Sequence, residues 1–227
     1  MKQIEATNPM FLAYAQVIHF IYPLAMDLLE KPPLNEYRLH IHELEMRYAV
    51  GSRGSPLFDS FFTLWLLFDA AYNGKTLGER LLPLVHEQDK LVADTVELLN
   101  KSYLGIYAFE GYDGSHALFK DIFTQRSYLV VNPSGYRGEV GEIWLTRLLQ
   151  TRGKTSISIS SPYVAKSSAI PWLDYLRDNG VINGSTESYK KFMKKNDWIS
   201  FIPQNVKRVY GEFIEISEPF LKLRSRD

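Results

Sequence analysis

The sequence predicts an α+β fold: an N-terminal helical region, then a small antiparallel β meander or barrel, then C-terminal helices. Three observations carry this expectation. Large apolar residues recur at helical spacing between Gly and Pro breaks over the first hundred residues. From Leu104 short apolar or alternating runs are separated by Gly, Asn, Asp and Ser, and helical spacing returns after Pro171. The predicted boundaries are a helical region at 1–103, a β module at 104–162, and helices and a tail at 163–227 that pack on the rest.

In order along the chain, Phe11 to Leu29 reads as a helix with Pro23 as a kink, closed by Lys31-Pro32-Pro33, because a residue before proline disfavours helical angles. A second helix over 34–48 places Tyr37, Ile41, Leu44 and Tyr48 at i, i+4, i+7 and i+11, although a strand is the competing reading of that stretch. Gly51 to Pro56 is a loop. Leu57 to Tyr72 is apolar nearly all round and belongs in the middle of the core, stopping at Asn73-Gly74. Thr76-Leu77-Gly78-Glu79 has the capping-box form that starts a short helix, and Glu87 to Tyr103 is a further amphipathic helix. The predicted strands are 104–110, 116–123, 127–132, 141–149 and 155–161, with tight turns at Asp113-Gly114 and Asn132-Pro133-Ser134-Gly135. Helices follow at 171–179 and 186–195, and the tail at 199–223 adds one strand.

Composition excludes several classes of function. The 227 residues carry 26 Lys+Arg against 26 Asp+Glu, so no global charge drives the chain onto DNA or an anionic membrane. With no cysteine, a disulfide framework, thiolate zinc site, iron–sulfur cluster or cysteine nucleophile is excluded. The most apolar segment, Phe11 to Met26, is interrupted by Gln16, His19 and Pro23 and falls short of the ~20 apolar residues that span a bilayer. A soluble, cytoplasmic protein with no membrane association is expected. Charge is nevertheless uneven: residues 151–227 hold 8 Lys and 5 Arg against 8 Asp+Glu. Lys190, Lys191, Lys194 and Lys195, followed by Lys207 and Arg208, form the candidate anion-binding set, with Tyr189, Phe192, Trp198 and Phe201 as neighbouring rings for stacking bases.

His and carboxylates are the only side-chain metal ligands in reach, which draws attention to His40, His42 and Glu36. On a helix, i and i+2 point ~200° apart, so His40 and His42 would chelate one ion only if the segment were a strand. No metal, cofactor or catalytic residue is therefore assigned. Gly74-Lys75-Thr76 fails as a phosphate loop, because Asp69 stands where the first glycine is required. His19 is expected to be a buried or half-buried helix residue, and Asp69 a structural partner of the 73–80 turn.

Trp65, Phe68 and Asp69, then Gly74, Thr76 and Glu79, then Leu118, Asp121 and Thr124, then Gly141, Glu142, Arg147 and Leu148 form an ordered signature over roughly residues 57–161. It resembles the bacterial proteins associated with SEC-C motifs. Those pair a helical region bearing W-x-x-F-D…G-x-T-x-x-E with a β module bearing L-x-D-x-x-T-G and a later G-D followed by Arg-Leu. The chain departs from the pattern at Gln125, in place of Gly, and at Glu142, in place of Asp, and it lacks the Cys/His motif itself. The resemblance thus implies architecture, with Trp65, Asp69, Gly74, Thr76, Glu79 and Asp121 as structural signature residues, and implies no zinc chemistry. The expected function is that of a non-enzymatic binding or adaptor module with a protein partner. The alternatives are a nucleic-acid-binding accessory protein using the basic C-terminal third, with weak binding, and a metal-dependent hydrolase centred on His40 and His42.

Overall fold

A computed structural model describes residues 9–32, 34–48, 56–85, 90–151, 154–160, 162–181, 185–195, 198–209 and 214–216. The fold is α+β, and the chain divides into two compact units, 1–102 and 103–227.

The first unit holds helices α1 (Pro9–Leu29), α2 (Asn35–Tyr48), α3 (Pro56–Phe68), α4 (Leu77–Val85) and α5 (Lys90–Lys101). Its core follows helical periodicity: Ile21, Ala25 and Leu29 of α1, Tyr37, Ile41 and Leu44 of α2, and Leu77, Leu81 and Val85 of α4 are buried. In α3 every residue from Leu64 to Phe68 is buried, as expected of a helix that is apolar all round. That helix ends at Phe68, four residues before the expected stop. A hairpin of two-residue strands follows, β1 (Ala71–Tyr72) and β2 (Lys75–Thr76). Its turn residues Asn73 and Gly74 have φ of 51° and 77°, the left-handed pair that Asn-Gly accommodates best. Tyr37 ties the hairpin to α2: its hydroxyl donates to the Lys75 carbonyl and accepts from the Tyr72 N–H at 3.2 Å. The loop at Gly51–Ser55 and His86 lie outside the described residues.

The second unit is built on a closed barrel of β3 (Leu104–Asp113), β4 (His116–Asp121), β5 (Ser127–Val131), β6 (Ile143–Gln150) and β7 (Thr155–Ser158). The order is β3-β4-β5-β7-β6, and β6 pairs back onto β3 to close the ring. Most pairings are antiparallel, but β5 and β7 run parallel, so the module is a mixed barrel and not a meander. Alternate residues fill it: Tyr107 and Phe109, Ala117 and Phe119, Val130, and Trp144 and Leu148 form one buried cluster. A β-bulge between Phe109 and Gly111 lets β3 bend as it leaves the ring.

Beyond the barrel, β8 (Tyr163–Ala165) runs along β6, and β10 (Ile214–Ile216) and β9 (Val206–Val209) extend the sheet. Helices α6 (Ile170–Asp178), α7 (Thr186–Lys195) and α8 (Trp198–Asn205) complete the unit. Trp172, Tyr175, Trp198 and Phe201 pack ring against ring at 5.3–6.2 Å. The tail thus supplies a helix and two strands where one strand was expected. Among the described residues no helix is long and apolar enough to cross a membrane.

Candidate functional site

Residues 34–48 are helical, which decides the geometry of the candidate metal site. His42 is exposed, whereas His40 is half-buried and stacks on the Tyr72 ring at 4.9 Å. Glu36 turns to Arg80, with an Nη1 to Oε1 distance of 2.9 Å, and not to His40. The same guanidinium lies 4.7 Å over the Tyr37 ring. These residues therefore hold α2, the hairpin and α4 together rather than converging on an ion. Among the described residues no group of three or more His, Asp or Glu is placed to hold a metal. His19 is exposed, contrary to the expected burial or half-burial.

The signature residues fall into structural roles. Trp65 is buried in α3. Thr76 and Glu79 make the reciprocal capping box: the Glu79 N–H donates to Thr76 Oγ1 at 3.2 Å and the Thr76 N–H donates to Glu79 Oε2 at 2.8 Å. Asp69 is half-buried in the turn that ends α3, with its own N–H bonded to the Trp65 carbonyl.

Asp121 is fully buried at the end of β4. Its Oδ1 accepts from the N–H groups of Phe123 and Thr124 at 2.9 and 2.7 Å and so shapes the turn into β5. Asp121 Oδ2 and Thr124 Oγ1 are buried without a hydrogen bond of normal geometry. Burial pushes the Asp121 carboxyl above its ordinary range, and the two backbone bonds, then Thr124 and Arg126, offset this only in part. Tyr103, Tyr107, Tyr128 and Tyr189 share the region, and burial likewise raises each phenol. The same turn places Gln125 at φ 60°, the backbone that favours glycine.

Glu142 is another buried carboxylate, and it is fully engaged. It accepts from the Tyr136 hydroxyl at 2.8 and 2.9 Å, the Glu139 N–H at 3.0 Å and Trp144 Nε1 at 3.3 Å, with Lys166 Nζ at 4.0 Å. This closes the 132–142 loop over one end of the barrel. Gly138 fits there at φ 68°, since a Cβ would stand 2.6 Å from the Trp144 ring. Inside the barrel Thr146, Ser158 and Ser160 satisfy one another, with the Thr146 and Ser158 hydroxyls 2.9 Å apart. None of these groups is presented to an outside molecule.

The basic residues are presented. α7 carries Lys190 and Lys194 half-exposed and Lys191 and Lys195 exposed. Lys190 Nζ sits 5.8 Å from the Tyr103 ring centre. Lys207 and Arg208 lie on β9, away from α7 in the chain. The rings expected to stack bases are mostly unavailable: Tyr189, Trp198 and Phe201 are buried in the core of the unit, and only Phe192 is half-exposed. Sequence reasoning also missed an apolar feature. Leu39 is 74% exposed and Met46 53% exposed on α2. With His42 they lie at i, i+3 and i+7, a spacing legible in the sequence once the helix is accepted. Compared with known proteins, the chain matches no protein-family model, no curated protein and no solved structure.

Proposed function

We propose that the chain is a non-enzymatic binding module that acts as a cytoplasmic adaptor and engages a protein partner through α2. The observation that carries this reading is the exposed row Leu39, His42 and Met46. Apolar residues scattered singly over a surface need no partner. Two large ones on a single helix row, on a helix whose opposite face is fully buried by Tyr37, Ile41 and Leu44, present the anchors by which a helix is gripped in a groove. The polar groups support the reading from the other side, since the buried carboxylates and hydroxyls described above hold turns and loops. The resemblance to SEC-C-motif-associated proteins enters as architecture only, and the left-handed backbone at Gln125, where that pattern carries Gly, supports it.

The test is affinity capture from a native lysate with the wild-type chain and with Leu39→Glu/Met46→Glu, each with and without nuclease. A stoichiometric protein that is retained after nuclease and lost with the double variant is the expected result. Capture that disappears with nuclease, or that the double variant leaves unchanged, contradicts it.

A further inference from the structure

The chain contains three Asn-Gly pairs, Asn73-Gly74, Asn179-Gly180 and Asn183-Gly184, of which the last lies outside the described residues. Asparagine before glycine is the pair most open to intramolecular attack, because no Cβ shields or restrains the following backbone nitrogen. The two described pairs are both exposed and both lie in turns, so access of water does not separate them. Hydrogen bonding does. At the end of α6, Asn179 donates from Nδ2 to the Tyr175 carbonyl at 2.8 Å, and the Gly180 N–H donates to the Arg177 carbonyl at 2.9 Å. The amide that would be attacked and the nitrogen that would attack it are therefore both held. Asn73 has neither restraint: among the described residues, its side chain and the Gly74 N–H make no hydrogen bond.

We propose that Asn73 is a site of spontaneous deamidation and isoaspartate formation, a modification that undoes the tie between the β1–β2 hairpin and α2. The Gly74 nitrogen attacks Asn73 Cγ. The N–Cγ bond forms, the Cγ–Nδ2 bond breaks, and the amide nitrogen takes up the proton that Gly74 gives up and leaves as ammonia. Water then opens the resulting succinimide at either carbonyl, to isoaspartate or aspartate, with no change of oxidation state. The brake on ring closure is the turn itself, because Asn73 at φ 51° must leave the left-handed conformation in which the hairpin holds it. A hairpin of two-residue strands is marginal alone. Here the Tyr37 hydroxyl bonds both strands, at the Lys75 carbonyl and the Tyr72 N–H, so Tyr37 governs how often the turn opens and how fast Asn73 reacts. Isoaspartate routes the main chain through the side-chain methylene and adds a carboxylate. The lengthened turn no longer fits the Tyr72–Lys75 pairing on which Tyr37 closes. This inference is independent of the partner proposed for α2.

The test is peptide mapping by mass spectrometry of the full chain kept folded in mildly alkaline buffer, with the converted residue located by fragmentation. Isoaspartate is assigned by enzymatic methylation of its carboxylate. A sample unfolded in urea, where both pairs lose their restraints, gives the reference rates. In the native chain Asn73 is expected to convert faster than Asn179 by on the order of tenfold or more, since two hydrogen bonds must break before Asn179 can react. Tyr37→Phe should speed conversion at Asn73 several-fold, and Gly74→Ala should suppress it by shielding the attacking nitrogen. An unchanged rate at Asn179 checks that each variant is folded. The proposal is overturned if Asn73 stays unconverted in the native chain while the urea sample reacts, if the two sites convert equally in the native chain, or if Tyr37→Phe leaves the rate at Asn73 unchanged.

Discussion

Asp121 is a carboxylate whose placement carries a cost. A carboxylate taken fully out of water is disfavoured unless its oxygens are satisfied, and only Oδ1 receives two backbone N–H donors. Its folded-state proton affinity is raised above the ordinary value of 3.8. The folded chain therefore holds this proton to higher pH than the unfolded chain does. The stability that protonation contributes is full below the unfolded value and is lost as pH rises through the folded one. Asp121→Asn keeps the acceptor for Phe123 and Thr124 and removes the charge. Chemical denaturation from pH 4 to 8 should show the variant more stable than wild type at pH 7, with a flatter decline above pH 4. A variant less stable at neutral pH would mean that the ionised carboxylate is compensated in the native state. Asp121 was legible in the sequence as a signature residue, but its burial was not. Gln125 was visible only as a departure from a pattern, because positive φ at a non-glycine residue is imposed by the turn that Asp121 shapes.

At the scale of elements, signals that act within a few residues were readable. The capping box at Thr76 and Glu79 is such a signal, and Thr76→Ala should cost about 1 kcal/mol of stability in thermal or urea unfolding. The bounds of α7 and the starts of the first three barrel strands were legible for the same reason, since Gly and turn residues punctuate them, whereas β3 runs three residues past its expected end and β4 stops two residues short of it. Asn73-Gly74 carried a strong hairpin signal too. It was read as a helix stop because the strands it joins are only two residues long and continue an apolar run. In the C-terminal third, Trp198, Phe201 and Ile202 are buried by α6 and α7, and a helix made by tertiary packing leaves little periodicity in eight residues. Packing of α7 on the barrel depends on Tyr189, whose hydroxyl accepts the Ile106 N–H at 3.2 Å. Tyr189→Phe strands that buried amide and should destabilise the protein by about 1–3 kcal/mol, with hydrogen exchange at Ile106 accelerated. Unchanged exchange there would show that the bond does not hold the helix.

For the whole molecule, the α+β class followed from where the apolar period changes, at Leu104. Closure of the barrel did not, because it rests on β3 meeting β6 and on β5 meeting β7 in parallel, pairings that join residues far apart in sequence. The proposed surfaces divide the same way. The lysines of α7 were legible as a charge cluster, because their spacing on one helix is a property of the sequence alone. The exposed row on α2 needed burial of the opposite face to be recognised as a surface. The central claim, that this row is where the module meets a protein, is tested most directly by placing a photo-crosslinking amino acid at position 42, between Leu39 and Met46, and at position 113 in the β3–β4 turn as a comparison. One discrete protein adduct from position 42, absent from position 113 and lost when Leu39→Glu/Met46→Glu is added, is the predicted result. Equal labelling from both positions, or an adduct that survives those substitutions, would contradict it.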